Sequence, residues 1–124
     1  MNSDDDPTPT SNKGDHGTSV AGIIAAVGWN NIGVRGVAPS ASIKGYNYLE
    51  AQTAANWIST YGGESYSSDI DIFNNSFGSY NRSFGVAASV IQTTFSTTLP
   101  SMRSGKGAIF VKASGNSFLS LIHI

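Results

Sequence analysis

The sequence predicts an α/β domain with a mostly parallel sheet and helices on both faces. Segments typical of strands alternate with segments typical of helices, and such alternation favours parallel strands joined by crossover helices. The composition agrees, because 40% of the residues are hydrophobic, 12% are charged and 14 are glycine, as in a globular, loop-rich chain. The 124 residues correspond to about one small domain.

The first half of the chain contains two predicted helices around one predicted strand. Small and apolar residues at helical spacing predict a helix over 17–27, where small side chains would let another backbone approach closely. Residues 28–41 are rich in glycine and turn residues. A strand over 42–49 ("SIKGYNYL") and a helix over 50–62 follow.

The second half predicts strand, helix and strand. Alternation within 68–78 indicates a strand at 70–73, apolar spacing predicts a helix over 84–99, and 107–116 reads as a short buried strand that runs into a turn. Polar turns, "NNSFG" and "ASGN", follow the two strands. Sites in parallel sheets gather at the carboxyl ends of strands, although glycine and asparagine are also the ordinary residues of turns.

The two ends of the chain differ from the rest. Residues 1–14 are acidic and then rich in Pro, Thr and Ser, which indicates a loop. The final run, "SFLSLIHI" at 117–124, is apolar where another loop is expected. We therefore predict a domain over 1–116 followed by a tail that is hypothetically non-native. Sequencing the parent gene across residue 116 tests this hypothesis.

Several classes of protein are disfavoured by composition. The formal net charge is −1 and lysine and arginine form no cluster, which argues against a nucleic-acid partner. No apolar stretch reaches the roughly 20 residues of a membrane-spanning helix, and the amino terminus does not have the pattern of a secretion signal. The chain has no cysteine, so disulfides and thiol catalysis are excluded.

His16 is the first candidate for a functional residue. It follows Asp15 and leads directly into the predicted small-residue helix. A histidine at this junction could be catalytic, could bind a metal or could simply cap the helix. Zinc binding is disfavoured because no second histidine or cysteine lies at ligand spacing.

Three segments, "DHGTSVAGIIAA", "NNSFG" and "AIFVKASGN", occur in this order along the chain. Together they resemble the subtilisin-like serine proteases, and residues 4–116 are most similar to the kexin or proprotein-convertase-like branch. The resemblance implies a subtilisin-like three-layer fold, incomplete in this chain, and endopeptidase activity on protein or peptide substrates. It further implies that His16 is the general base of a Ser-His-Asp triad and that Asn116 is the oxyanion-hole donor. An asparagine at this turn could also merely tolerate a left-handed backbone.

The resemblance also implies a site for extended substrate. Ser76 and Gly78 would offer main-chain groups to a peptide, and Phe77 would form the wall of an apolar pocket. Phe77 could instead be an ordinary core aromatic. Gln52, with Ala51, would lie on the opposing edge of the substrate.

Calcium is the cofactor that the resemblance implies. The segment 28–34 ("GWNNIGV") is similar to the family's calcium loop. The expected ligands are the side chain of Asn30 or Asn31 and the carbonyl groups of Gly28, Ile32 and Val34. A second site would use Asp4 and Asp6, although an acidic run is also typical of a solvated loop.

Two triad members are not found in this chain at the positions where the family's pattern expects them. The aspartate is expected a few dozen residues before the histidine and the nucleophilic serine well after the asparagine, whereas Asp15 and Ser120 lack those settings. We therefore expect a central fragment of a catalytic domain, inactive by the triad route on its own. The alternative is an inactive pseudoprotease or peptide-binding fragment. The family suggests a secreted or cell-surface protein, and "SYNRSFG" at 79–85 has no acidic residue, which weakens a preference for basic substrates.

Overall fold

The computed structural model describes Thr8, residues 15–78 and residues 86–116. The chain divides into two compact units, an amino-terminal unit of Asn2–Asn47 and a carboxyl-terminal unit that begins at Tyr48. None of the helices within the described ranges has the length and apolar character needed to cross a membrane.

The amino-terminal unit is built on one helix, α1, His16–Ala25. The helix ends because Ala26 takes an extended backbone, with φ −55° and ψ 133°. The chain then returns to the helix end, where the N–H groups of residues 36–38 donate to the carbonyl groups of Ala26, Ile23 and Ile24 at 2.7–3.0 Å. These bonds satisfy carbonyl groups that a helix terminus otherwise leaves unpaired.

Gly36 permits this close return. A Cβ at this position would lie 2.5 Å from the main-chain nitrogen of Ala26, closer than any side chain tolerates. No residue of α1 is fully buried, and its small residues Ala21, Gly22 and Ala25 are half-buried.

The carboxyl-terminal unit combines short helices with two strands. Its described elements are a 3₁₀ turn (Tyr48–Glu50), α2 (Ala54–Ile58) continued by a π turn (Ser59–Gly63), β1 (Ile72–Asn75), α3 (Ala88–Thr93) continued by a π turn (Thr94–Thr98), α4 (Leu99–Gly105) and β2 (Ile109–Lys112). The side chain of Thr53 caps α2 by accepting the N–H of Asn56 at 3.2 Å. The backbone leaves helical geometry at Met102–Ser104, inside the bounds of α4.

The two strands are parallel neighbours, with Phe73 opposite Phe110 and Asn75 opposite Lys112. Helices α3 and α4 lie between them in the chain, as in a crossover connection. The predicted parallel α/β arrangement is therefore confirmed.

An aromatic core packs one face of this sheet against the helices. The buried residues of the cluster are Tyr48, Trp57, Tyr61, Phe73, Leu99 and Met102. Trp57 is completely buried, and its indole N–H donates to the hydroxyl of Thr94 at 2.8 Å, which joins α2 to the end of α3. The other face carries Ile72, Ile109 and Val111, which are about half exposed or more. Helices therefore cover one face within the described residues of this unit.

Most predicted elements are found, with shifted ends. The helices predicted over 17–27 and 50–62 correspond to α1 and α2, and β2 lies within the predicted 107–116. The helix predicted over 84–99 corresponds to α3 and its π turn, whereas α4 lies beyond it apart from Leu99. The strand expected at 70–73 forms two residues later, over Ile72–Asn75. The strand predicted over 42–49 is wrong, because 41–47 are irregular and Tyr48 begins a 3₁₀ turn. A strand needs a paired neighbour, and no described segment forms a ladder with these residues.

Candidate active site

His16 is the first residue of α1 and its side chain is exposed. Asp15 occupies the N-cap position without a side-chain capping bond, while its carbonyl group accepts the N–H of Ser19 at 3.0 Å. The helical backbone therefore fixes the position of His16 at the amino end of α1. Its ring faces solvent, where a reacting group could reach it.

The predicted turns lie together at the carboxyl edge of the sheet in the carboxyl-terminal unit. The N–H of Ala113 donates to the carbonyl group of Asn75 at 3.0 Å, so the last ladder bond joins the starts of the two turns. Residues 76–78 continue from β1 and residues 113–116 continue from β2. Asn116 is exposed and follows Gly115, whose φ of +92° makes the sharp turn.

The segment 76–78 has a supported side and an open side. The amide of Asn74 donates to the hydroxyl of Ser76 at 2.9 Å. Phe77 is half-buried, and its ring lies 5.9 Å from that of Tyr48 in the core. Among the described residues, the main-chain N–H and carbonyl groups of Ser76 and Gly78 form no hydrogen bond. Main-chain groups that are unpaired at the edge of a sheet can pair with another chain.

Gln52 lies on the loop between the 3₁₀ turn and α2. Its side-chain amide donates to the carbonyl group of Leu49 at 3.3 Å, and it is exposed. The buried amide of Asn56 holds the same loop by donating to the carbonyl group of Ala51 at 2.7 Å. Tyr48, which begins this loop segment, is the residue that contacts Phe77. The loop that carries Gln52 is therefore linked to the segment 76–78 through the contact of Tyr48 with Phe77.

Sequence reasoning missed Lys112, the last residue of β2. Its ammonium group donates to the carbonyl group of Phe77 and lies 5.0 Å from the centre of the Phe77 ring. Burial lowers the pKa of Lys112 from its ordinary value. A lysine inside the apolar strand "AIFVKASGN" was the signal that could have identified it.

A buried polar pair lies beneath this edge. The hydroxyl of Tyr61 donates to the side-chain oxygen of Asn75, and the Asn75 amide donates to the carbonyl groups of Phe73 and Val111 at 3.3 Å each. Burial, followed by the proximity of Tyr48, raises the pKa of Tyr61 well above its ordinary value. The pair fixes the end of β1 with every polar group of the Asn75 side chain satisfied.

The candidate calcium loop lies in the amino-terminal unit. Trp29, Asn31 and Gly33 all have φ between 57° and 61°, so alternate residues are left-handed. The side-chain oxygen of Asn30 accepts the N–H of Ile32 at 3.1 Å, and an amide oxygen has a second lone pair. Amide and carbonyl oxygens are the donor type that calcium prefers, so the loop fits that ion chemically.

Other predicted metal ligands are not placed. Asp4 and Asp6 lie outside the described residues, as does the tail at 117–124. Within the described ranges, no group of three or more His, Cys, Asp or Glu residues is arranged to hold a metal. His16 and the candidate loop belong to the amino-terminal unit, whereas Gln52, residues 76–78 and Asn116 belong to the other unit.

A sequence model of the Subtilase family matches residues 1–120. The extracellular serine protease of Aeromonas sobria is 39% identical over 118 residues, which are 92% of this chain and 19% of that protein. Furin-like protease 2 of Drosophila melanogaster is 39% identical over 117 residues, 91% of this chain and 7% of that protein. Thermitase of Thermoactinomyces vulgaris is 32% identical over 116 residues, 92% of this chain and 38% of that protein.

No solved structure matches the chain. The chain spans well under half the length of the curated relatives described above. The family model nevertheless covers almost all of its 124 residues, and the parallel sheet with packed helices agrees with an α/β fragment. The chain belongs to the subtilase family.

Proposed function

We propose that this chain is a central part of the catalytic domain of a secreted serine endopeptidase. The family match over residues 1–120 carries the proposal, and the relatives named as serine proteases support it. The extracellular relative from Aeromonas sobria supports secretion. The triad aspartate and the nucleophilic serine come from parts of the domain outside these residues.

His16 acts as the general base in this proposal. A serine hydroxyl becomes an effective nucleophile when a neighbouring imidazole accepts its proton, and that imidazole later returns the proton to the leaving amine. The exposed position of His16 at the amino end of α1 suits this transfer, because the helix holds the residue while the ring stays accessible.

Asn116 stabilises the tetrahedral intermediate. Its side-chain amide donates to the carbonyl oxygen of the substrate as that oxygen gains negative charge. The residue is exposed at the turn after β2, at the same edge as the segment that would hold the substrate. In this proposal the oxyanion donor follows β2, and the main chain that binds the peptide follows the adjacent strand β1.

The substrate adds as a strand beside residues 76–78. In a parallel ladder alternate residues face the neighbouring strand, and the carbonyl group of Asn75 is bonded to Ala113 of that neighbour. The main-chain groups of Ser76 and Gly78 therefore face the opposite edge, where an extended peptide can pair with them. Phe77 borders an apolar subsite, and Gln52 lies on the other side of the peptide.

Calcium stabilises the amino-terminal unit through the loop 28–34. The ligands are the side-chain oxygen of Asn30, or of Asn31, and the carbonyl groups of Gly28, Ile32 and Val34. Their support is the oxygen chemistry of the loop and the bond that already orients the Asn30 side chain. Asp4 and Asp6 form the second proposed site.

The complete protein that carries this chain provides the test. It should hydrolyse peptides and react with a fluorophosphonate probe directed at nucleophilic serine. His16→Ala should reduce kcat by about 10⁶-fold, the scale measured for the triad histidine of subtilisin. Asn116→Ala should reduce kcat by about 10²–10³, as for the oxyanion donor of subtilisin, with little change in KM.

Asn47→Ala is the matched control, since Asn47 is half-buried and has no assigned role. It should leave kcat unchanged. A folded protein that binds peptide but neither cleaves it nor reacts with the probe would support the inactive pseudoprotease instead.

A further inference from the structure

Lys112 is a charged residue at the end of an otherwise apolar strand, Ile109–Lys112. The strand register places it beside Asn75, and both residues are on the face of the sheet that also carries Phe73 and Phe110. That face packs against the helices, so the lysine is half-buried although it carries a charge. A partly buried ammonium group needs specific interactions to offset its lost hydration.

The ammonium group makes these interactions with the segment that follows β1. It donates to the carbonyl group of Phe77 and lies over the Phe77 ring, 5.0 Å from its centre. A Cβ at Gly78 would lie 4.0 Å from the same nitrogen. One side chain thus contacts the main chain and the ring of Phe77 and reaches the start of Gly78.

These contacts begin where the strand ladder ends. The last described ladder bond joins Asn75 to Ala113, and within the described residues no bond joins the Phe77 N–H to the carbonyl group of Ala113. Phe77 is two residues after Asn75, so in an extended chain its carbonyl group points toward β2, where Lys112 lies. The lysine side chain therefore continues the support of β1 after main-chain pairing stops.

We propose that Lys112 is a positioning residue that holds residues 76–78 in the extended conformation that receives substrate. With the Phe77 carbonyl group bound on the β2 side, the main-chain groups of Ser76 and Gly78 face the open edge. This inference rests on the proposed function of that edge as a peptide-binding strand. A hydrogen bond from a charged donor is stronger than one from a neutral donor, so a single contact of this kind can hold the segment.

The experiment uses the complete protein and its Lys112→Met, Lys112→Arg and Lys106→Met variants. Lys106 is exposed at the other end of the β2 strand region and serves as the matched control. The first readout is the Kd of an extended peptide with a reduced, non-hydrolysable scissile bond. The second is kcat/KM for an extended peptide and for an ester of a single amino acid, which is too short to pair with both Ser76 and Gly78.

Lys112→Met should raise the Kd about tenfold and lower kcat/KM for the peptide to a similar extent through KM. Hydrolysis of the ester should stay unchanged, Lys112→Arg should restore peptide binding, and Lys106→Met should match the wild type. Unchanged peptide binding in Lys112→Met, or an equal loss with peptide and ester, overturns the inference, as does a wild type that binds no extended peptide. A wild type that binds peptide with the expected order of variants but hydrolyses neither substrate refutes the proposed function and leaves the role of Lys112 standing.

Discussion

Asn75 shows how a single buried amide can define the end of a strand. Only 3% of its surface is exposed, yet its oxygen accepts from Tyr61 and its nitrogen donates to two carbonyl groups. Leaving any one of these groups unpaired in the core costs about 1–3 kcal/mol. The network therefore selects the conformation from which residues 76–78 emerge.

Tyr61 makes the free energy of unfolding depend on pH in the alkaline range. Burial raises the pKa of its phenol above the ordinary value of 10.0, so between these two pKa values the unfolded chain loses a proton that the folded chain keeps. The contribution of Tyr61 to the free energy of unfolding is therefore fully present below pH 10.0. As the pH rises above this value, the free energy of unfolding falls by about 1.4 kcal/mol per pH unit for one proton. Denaturant unfolding of the chain across this range measures the slope.

Tyr61→Phe should flatten this alkaline slope. It should also lower the free energy of unfolding at neutral pH by about 1–3 kcal/mol, because the Asn75 oxygen loses its donor. Tyr66→Phe is the control, since Tyr66 is exposed, and it should keep the wild-type slope. The raised pKa of Tyr48 leaves a smaller residual slope in both the wild type and the variant. An identical slope in wild type and Tyr61→Phe would refute the assignment of the alkaline slope to Tyr61.

At the residue scale, the sequence identifies candidate residues where a local motif marks them. His16 and Asn116 are singled out by the residues next to them, and the structure places one at a helix start and the other at a strand end. Lys112 and Asn75 were not singled out. Their contacts with Phe77 and Tyr61 join residues 35 and 14 positions apart, and no local pattern reports such a distance.

Among the elements, prediction succeeded where the determinants are local or lie within one unit. The crossover from β1 to β2 places both strands and their helices in the same unit, and the apolar spacing of each segment matches its observed role. The segment 42–49 has an equally strand-like pattern. It does not form a strand because the pattern specifies only the side chains, whereas a strand also requires a neighbour to pair its N–H and carbonyl groups.

The loop 28–34 provides a prediction about calcium. A ligand that binds only the folded state stabilises it, by about 2.7 kcal/mol at a concentration 100 times its Kd. Calcium should therefore raise the free energy of unfolding, measured by denaturant titration with and without a chelator. With Asn30 as the ligand, Asn30→Ala should reduce the increase, and Asn30→Asp should enlarge it because a carboxylate binds calcium more strongly than an amide.

Asn31→Gly distinguishes the two candidate side chains. Glycine accepts the φ of 59° at this position, so the backbone is retained while the side chain is removed. An increase that keeps its full size in Asn31→Gly and is reduced in Asn30→Ala assigns the ligand to Asn30, and the reverse assigns it to Asn31. An increase of full size in both variants shows that neither side chain is a ligand.

At the scale of the whole molecule, apolar surface is exposed on the face of the sheet where a three-layer fold has its second layer of helices. Ile72, Ile109 and Val111 are 57%, 55% and 47% exposed on the face of the sheet that faces away from the aromatic core. Within residues 48–78 and 86–116, the helices pack against the opposite face of this sheet. The exposed face agrees with the incomplete three-layer arrangement expected from the sequence.

The exposed sheet face should make the isolated 124-residue chain associate with itself. The double variant Ile109→Thr, Val111→Thr keeps β-branched residues in the strand while replacing apolar groups with hydroxyls, at about 0.8 kcal/mol or more per group. Static light scattering against concentration should therefore show association beginning at about tenfold higher concentration in this variant. Val37→Thr is the control, because Val37 is 83% exposed in the amino-terminal unit, outside the sheet. If Val37→Thr shifts the onset as far as the double variant does, association depends on total exposed apolar surface, and the sheet face has no special part in it.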